Sequence, residues 1–202
     1  MGQVSTNILL VMVAAYLLGS IPFGYLIARI WNIDIRRKGS GNIGATNVFR
    51  TIGPLAGSLV FLLDLLKGAL PVLLAKQLTA NPWLVILVGI ATVLGHTYPI
   101  FLKFKGGRGA ATGFGFLLAV APDIFIGALI LVILIILLTR YVSLASIITS
   151  PLVTLAFFLL KRPLPYGLIA ALVSVIIILR HIPNIKRLLA GTESRIGVKN
   201  DK

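Results

Sequence analysis

Cysteine is absent from all 202 residues, which excludes disulfides, thiolate zinc sites and a cysteine nucleophile. Acid is nearly absent too: the five carboxylates are Asp34, Asp64, Asp123, Glu193 and Asp201. They are too scattered for a carboxylate-bound metal centre, so metal-free chemistry is expected, with no metal and no other cofactor. Charged residues of both signs make up only 12% of the chain, where a soluble domain carries about a quarter. Against these shortages stand 58% hydrophobic residues. The balance predicts an all-α, polytopic integral membrane protein, one domain over residues 1–202, too short for a soluble domain beside its helices. Met1 to Leu10 lacks the cationic start of a cleavable signal, so the first apolar stretch is expected to stay as a span.

The net charge is +14. No basic domain stands clear of the apolar segments, so nucleic acid is not an expected partner. Cations in such a chain answer instead to anionic headgroups of the bilayer.

Seven apolar stretches can be drawn, at 5–30, 54–75, 83–101, 108–122, 124–139, 144–160 and 165–180. Several fall short of the ~20 residues of a full crossing, and 108–122 is the weakest and a candidate re-entrant segment. Pro22, Pro71, Pro99 and Pro151 should kink or end helices. With seven crossings, fifteen cations fall on one side: Arg29, Arg36, Arg37, Lys38, Arg50, Lys103, Lys105, Arg108, Arg140, Arg180, Lys186, Arg187, Arg195, Lys199 and Lys202. Only Lys76, Lys161 and Arg162 fall on the other, and Lys67 lies within a span. The positive-inside rule then places the N-terminus outside and the C-terminus in the cytoplasm. Every polar motif lands on the cytoplasmic face.

Four such motifs interrupt the apolar chain. In the first, Lys38 to Arg50, Gly39, Gly41 and Gly44 permit tight backbone, Ser40, Asn42, Thr46 and Asn47 supply neutral hydrogen bonds, and Arg50 offers a bidentate fork for phosphate. A plain turn with Thr46 or Asn47 capping the next helix would need fewer of them. The second, Gly95 to Gly113, crowds Lys103, Lys105 and Arg108 around Gly106-Gly107, a composition suited to cradling an anion. Its spacing fits neither a dinucleotide fingerprint nor a P-loop. Gly109-x-x-x-Gly113 also reads as a helix-packing motif, and His96 beside it as a satisfied structural histidine. In the third, Arg140 to Ser146, Ser143 or Ser146 could simply cap a helix. The fourth, Arg180 to Glu193, is a cationic amphipathic stub whose His181, Asn184 and Glu193 exceed what interfacial anchoring needs. Within the second stretch, Asp64 and Lys67 are spaced i,i+3 and predict a buried ion pair, with Lys67 a further candidate for the anion site.

Taken in order, the motifs resemble those of the bacterial membrane-integral acyl-phosphate:glycerol-3-phosphate acyltransferases, the PlsY family. The matching runs are Gly19-Ser-Ile-Pro-Phe-Gly-Tyr25, Gly39-Ser-Gly-Asn-Ile-Gly-Ala-Thr-Asn47, Asp64-Leu-Leu-Lys-Gly68, Gly95-His-Thr-Tyr-Pro through Gly109, and His181-Ile-Pro-Asn-Ile-Lys-Arg-Leu-Leu-Ala-Gly-Thr-Glu193. The resemblance implies acyl transfer from a long-chain acyl phosphate to the sn-1 hydroxyl of glycerol 3-phosphate at the cytoplasmic face of the bacterial cell membrane, with no obligate protein partner. Lysophosphatidic acid and inorganic phosphate would be the products, in the first committed step of phospholipid synthesis. Ser40, His181 and Asn184 are the expected catalytic residues. Arg50, Lys105, Arg108, Ser146, Asn42, Thr46, Asn47, Lys67, Gly106 and Gly107 are expected to bind substrate, and Asp64, Glu193 and His96 to support the site. Read alone, the residues nominate His181 as the base. The resemblance implies instead that the phosphate of the donor takes the proton. Soluble-type glycerolipid acyltransferases carry a His-x-x-x-x-Asp signature, which neither His96 nor His181 begins. The non-enzymatic rivals are an anion or lipid-phosphate transporter, disfavoured by the lack of an inverted repeat, and a lipid-surface scaffold, which leaves the Ser/Asn/Thr density without a use.

Overall fold

The computed structural model describes residues 2–196, with side chains from Asn7 onward. Lys199, Asp201 and Lys202, three of the charges counted from sequence, lie outside the described residues. Among the described residues there is no strand, and the regular elements are helices α1 (Gly2–Ser20), α2 (Phe23–Ile30), α3 (Ala45–Thr51), α4 (Pro54–Leu78), α5 (Pro82–Thr97), α6 (Ala110–Val120), α7 (Pro122–Thr139), α8 (Val142–Leu159), α9 (Leu164–Arg180) and α10 (Ile182–Leu189). Two short 3-10 turns, Ile35–Arg37 and Ile100–Leu102, punctuate the loops.

Each apolar stretch anticipated from the sequence is helical, but the stretches are not equivalent. Five segments are long and apolar enough to cross a bilayer: Asn7–Ile30, Pro54–Leu78, Pro82–Leu102, Pro122–Thr139 and Val142–Leu159. A sixth forms only if α9 and α10, bent by 55° at His181, count as one span. The fourth stretch contracts to the 11 residues of α6. At 1.5 Å per residue that is about 16 Å, well short of the ~30 Å hydrocarbon core. Large side chains such as Leu137 and Leu138 on α7 point away from the protein, at 71% and 83% exposure. That outward apolar surface is what a bilayer, rather than water, accommodates. Pro22 divides the first stretch, since α1 ends at Ser20 and α2 begins at Phe23, whereas Pro71 and Pro151 sit inside α4 and α8.

The chain forms two compact units, one ending at Ala121 and the other beginning at Pro122. In the first, α1 packs on α5 and α4 on α6, with α4 also against α1, α3 and α5. The α4–α6 contact is close because it is made by glycine: a side chain on Gly68 would strike the Thr112 carbonyl, and one on Gly115 the Leu65 carbonyl. The close approach made at Gly68 and Gly115 was not read from sequence. Gly109 is the left-handed residue before α6, at φ 82°, and the N–H of Gly113 bonds back to its carbonyl. Close approach belongs to Gly115, two residues beyond Gly113. Ile27, Ile35, Ile43, Val48 and Val60 build a core beneath α2–α4, and Leu102, just before the basic loop, packs on it. The first two polar motifs therefore share one end of this unit.

In the second unit α7, α8 and α9 pack in sequence, and α10 lies against α8 and α9. Its two ends differ. Asp123 and Arg162 pair at one. At the other, the Ser143 hydroxyl bonds Glu193 and the Arg195 guanidinium bonds the Tyr141 hydroxyl. The third and fourth polar motifs thus share one end of this unit, as alternating helix directions require.

Candidate active site

The first unit's loop is built around Asn47, which is 3% exposed. Its side-chain amide nitrogen donates to the carbonyls of Ile35 (3.2 Å), Lys38 (3.0 Å) and Asn42 (2.8 Å). Its oxygen accepts from the Ser40 N–H at 2.9 Å. These bonds close the loop over Gly39 and Gly41, both left-handed at φ 55° and 70°, where a β-carbon would be strained. Asn47 is thereby committed to the backbone, and the expected substrate role gives way to a loop-holding one. Asn42 is likewise engaged, accepting from the Gly44 N–H at 2.7 Å. Neither Thr46 nor Asn47 caps the next helix; α3 starts after Gly44 with no side-chain cap. What the loop presents is Ser40, exposed, and Thr46 and Arg50, half-buried.

Outside this loop, Asp34 accepts from the Arg36 guanidinium at 2.9 and 2.7 Å. Those hydrogen bonds hold its carboxyl well below the usual carboxylate range, and Arg36 also stacks 4.5 Å from the Tyr25 ring centroid. Arg36 is therefore a structural cation.

The basic loop folds back on the end of α5. The N–H of Gly106 donates to the Thr97 carbonyl (3.2 Å) and that of Gly107 to the His96 carbonyl (3.1 Å). Those N–H groups, expected to cradle phosphate, shape the turn in this structure, and the cations Lys105 and Arg108 flank it. Lys105 is exposed and Arg108 half-buried. Behind the loop, the ion pair read from sequence forms: Lys67 Nζ lies 2.8 Å from Asp64 Oδ1. Lys67 is 2% exposed and its remaining bond, 2.8 Å, goes to the Ile21 carbonyl. Its ammonium is thus committed to protein partners in this structure.

The second unit centres on Glu193, 6% exposed. Ser143 and Asn184 both donate to its Oε1 at 2.7 Å, and Arg187 donates to Oε2 at 2.7 Å. Burial alone would raise the Glu193 pKa, but the three donors together outweigh it and hold the carboxyl below its ordinary value. Glu193 thus fixes the Asn184 side chain. Ser143, read from sequence only as a possible cap, and Arg187, read only as a cytoplasmic cation, are its other partners. The signal was present: a carboxylate among apolar helices needs donors, and few polar residues lie within reach. Among the described residues, no donor reaches the other end of the Asn184 amide, the buried Oδ1.

His181 sits at the 55° break between α9 and α10. Its Nδ1 lies 2.7 Å from the Ile177 carbonyl, which can only accept, so Nδ1 carries hydrogen and the lone pair of the neutral ring is on Nε2. Ser146 donates to the Val142 carbonyl at 3.1 Å within its own helix, a bond its rotatable hydroxyl can exchange for a ligand. Neither serine caps α8, which starts after Tyr141. No group of three or more His, Cys, Asp or Glu suited to hold a metal occurs among the described residues.

A sequence model of the glycerol-3-phosphate acyltransferase family matches residues 9–191. The glycerol-3-phosphate acyltransferase of Geobacter sulfurreducens is 50% identical over 94% of this chain and 97% of its own length, and that of Aquifex aeolicus 45% identical over 93% and 98%. A crystal structure of PlsY (YgiH), an integral membrane glycerol 3-phosphate acyltransferase in its glycerol 3-phosphate form, superposes with a TM-score of 0.91 at 45% identity, covering 95% of this chain and 96% of that one. A second structure of PlsY, in the lysophosphatidic acid form, gives 0.88 at 44% identity. The family model takes in the first three polar motifs and the fourth as far as Gly191, in both units, and the chain belongs to the glycerol-3-phosphate acyltransferase family.

Proposed function

We propose that this enzyme takes its acyl group from a long-chain acyl phosphate and delivers it to the sn-1 hydroxyl of glycerol 3-phosphate, as one membrane-integral domain with its polar motifs on the cytoplasmic face of the bacterial cell membrane, a sidedness that requires the short α6, with its flanking residues, to carry the chain across. Lysophosphatidic acid and inorganic phosphate are the products. The relative crystallised in a glycerol 3-phosphate form and a lysophosphatidic acid form supports the acceptor and the acylated product. The donor is what the resemblance of the motifs to the PlsY family implies.

The observation that carries the reading is the pinned His181–Asn184 pair. Asn184 is held by Glu193, yet among the described residues no donor meets its buried Oδ1, so this oxygen is the acceptor that a hydroxyl hydrogen would satisfy once substrate opens a way to it. In this reading Asn184 and His181 orient the sn-1 hydroxyl. Ser40, Thr46, Arg50 and Ser146 position the substrates. Lys105 and Arg108 neutralise phosphate, and the helix surfaces take the acyl tail. The hydroxyl oxygen forms a bond to the acyl carbon, the acyl carbon–phosphate oxygen bond breaks, and the departing phosphate keeps the electron pair and takes the proton. An acyl phosphate is a mixed anhydride with a good leaving group, so orientation and charge stabilisation supply most of the acceleration. No protein base and no metal is required.

His181→Ala separates substrate assistance from a histidine base. The variant should turn over more slowly, by about 10²-fold for lost orientation, with both limbs of the wild-type pH–rate profile kept. Intact substrate binding combined with loss of one limb would assign the proton to His181.

A further inference from the structure

Three titratable side chains lie together inside the first unit: Asp64 and Lys67, each 2% exposed, and His96, 4% exposed. Burying charges in a helix that a bilayer encloses is costly, and an apolar trio of similar volume would pack without that cost. The geometry of the cluster supplies a reason to keep them. Lys67 reaches past Asp64 to the Ile21 carbonyl at 2.8 Å, in the break between α1 and α2, with the Phe23 ring centroid 5.4 Å from its Nζ. That break leads through α2 to the Asn47 loop. In the opposite direction, Asp64 Oδ1 faces His96 Nδ1 at 3.7 Å. The His96 ring occupies the space that a side chain on Gly107 would need, its Nε2 being the atom first struck. The His96 carbonyl also accepts the Gly107 N–H. One carboxylate on α4 is therefore in register with both segments that carry the phosphate-facing residues of this unit.

We propose that the Asp64–Lys67–His96 cluster is a positioning device for substrate phosphate, fixing the Lys105–Arg108 turn through the His96 ring and the α1–α2 break through the Lys67 ammonium. The inference rests on the acyltransferase reading, and it makes His96 and Lys67 positioning residues that touch no substrate. The Asp64–Lys67 ion pair and the Lys67 bond to Ile21 set separation and direction on one arm, where apolar contacts would tolerate sliding. On the other arm His96 Nδ1 makes no hydrogen bond among the described residues, contrary to the satisfied histidine expected from sequence, and the ring acts by the space it fills beside the Asp64 charge.

The contact between ring and glycine supplies the test. Gly107→Ala drives a methyl group into the imidazole and should displace the turn, raising KM for the phosphate substrate held there about tenfold or more. His96→Ala removes the ring and should raise KM by a smaller factor. In His96→Ala/Gly107→Ala the methyl occupies part of the vacated space, so KM should fall below that of Gly107→Ala alone. The charge-neutral Asp64→Asn/Lys67→Met variant should recover the unfolding midpoint lost in Lys67→Met while KM stays roughly fivefold raised or more. The rise in unfolding midpoint produced by inorganic phosphate, measured on the same proteins, reads the turn without turnover. It should shrink in Gly107→Ala and return in the double variant. A His96→Ala/Gly107→Ala protein no better than Gly107→Ala on both readouts overturns the proposal, as does wild-type KM in the charge-neutral pair. Wild-type protein that transfers no acyl group from any donor rejects the acyltransferase reading instead, and the phosphate-induced midpoint shifts still decide the cluster.

Discussion

Glu193→Ala should lose acyl transfer about a hundredfold and destabilise the protein by about 2–4 kcal/mol. The first effect follows from geometry. Glu193 holds Asn184 by a 2.7 Å bond, and a displacement near 1 Å at a reacting centre costs roughly that factor in rate. The second follows from what is left behind. Ser143, 5% exposed, and Asn184, 3% exposed, would become buried donors without an acceptor, while Arg187 is exposed enough for water to replace much of its bond. Glu193→Gln, which keeps the shape but offers one acceptor oxygen, should fall between wild type and alanine. The pH dependence has a definite sign. Because the folded carboxyl is held below its ordinary value near 4.5, its contribution is complete above that pH and fades as pH falls through the folded value. The stability gap between wild type and Glu193→Gln, read from unfolding midpoints in detergent, should be constant from pH 7 to about 5 and close on further acidification. A gap that widened in acid would contradict the hydrogen-bonded carboxylate.

Asn47→Asp should do comparable damage in the first unit, by about 3 kcal/mol or more, and should raise KM for glycerol 3-phosphate as well. The substitution preserves volume and keeps the acceptor for the Ser40 N–H. It also turns the nitrogen that serves Ile35, Lys38 and Asn42 into an acceptor facing three carbonyls. Each lost bond of this kind is worth about 1 kcal/mol, and an unmatched buried group costs more. Since Ser40 and Arg50 flank the same loop, substrate affinity should drop together with the unfolding midpoint. Asn47→Ala, which only deletes the bonds, should be no worse than aspartate. A protein as stable and as active as wild type with aspartate at position 47 would remove Asn47 from its place at the centre of the loop.

The fold was readable in the chain to an unequal degree. Long apolar runs can only be satisfied as helices in lipid, so the α1–α2, α4, α5, α7 and α8 stretches were plain. Stretch 108–122 already stood out as the weakest of the seven, but its helix is cut to α6 by Gly109 in the left-handed region and by Ala121, which hydropathy does not register. Charge counting brought the polar motifs to one side, and within each unit they do share an end. The i,i+3 pair of Asp64 and Lys67 was legible because its partners lie one turn apart. Ser143 and Glu193 are separated by 50 residues, and only the packing of α8 against the end of the chain brings them together. Asn47 was harder still. Its residue type suits a substrate contact or a loop staple equally well, and the choice depends on which way the amide turns. Gly106 and Gly107 carry a similar lesson, since glycine that allows backbone to approach an anion equally allows it to fold back on His96 and Thr97.

One measurement bears most directly on the account. Purified protein in detergent or lipid nanodiscs is given glycerol 3-phosphate, a chelator of divalent metals and, in parallel, a long-chain acyl phosphate, the matching acyl-CoA or acylated acyl carrier protein. The account predicts lysophosphatidic acid and an equal amount of inorganic phosphate from the acyl phosphate alone. Lysophosphatidic acid formed only from the thioester donors would contradict the proposed donor, and phosphate movement across proteoliposomes with no lysophosphatidic acid from any donor would contradict the enzyme itself.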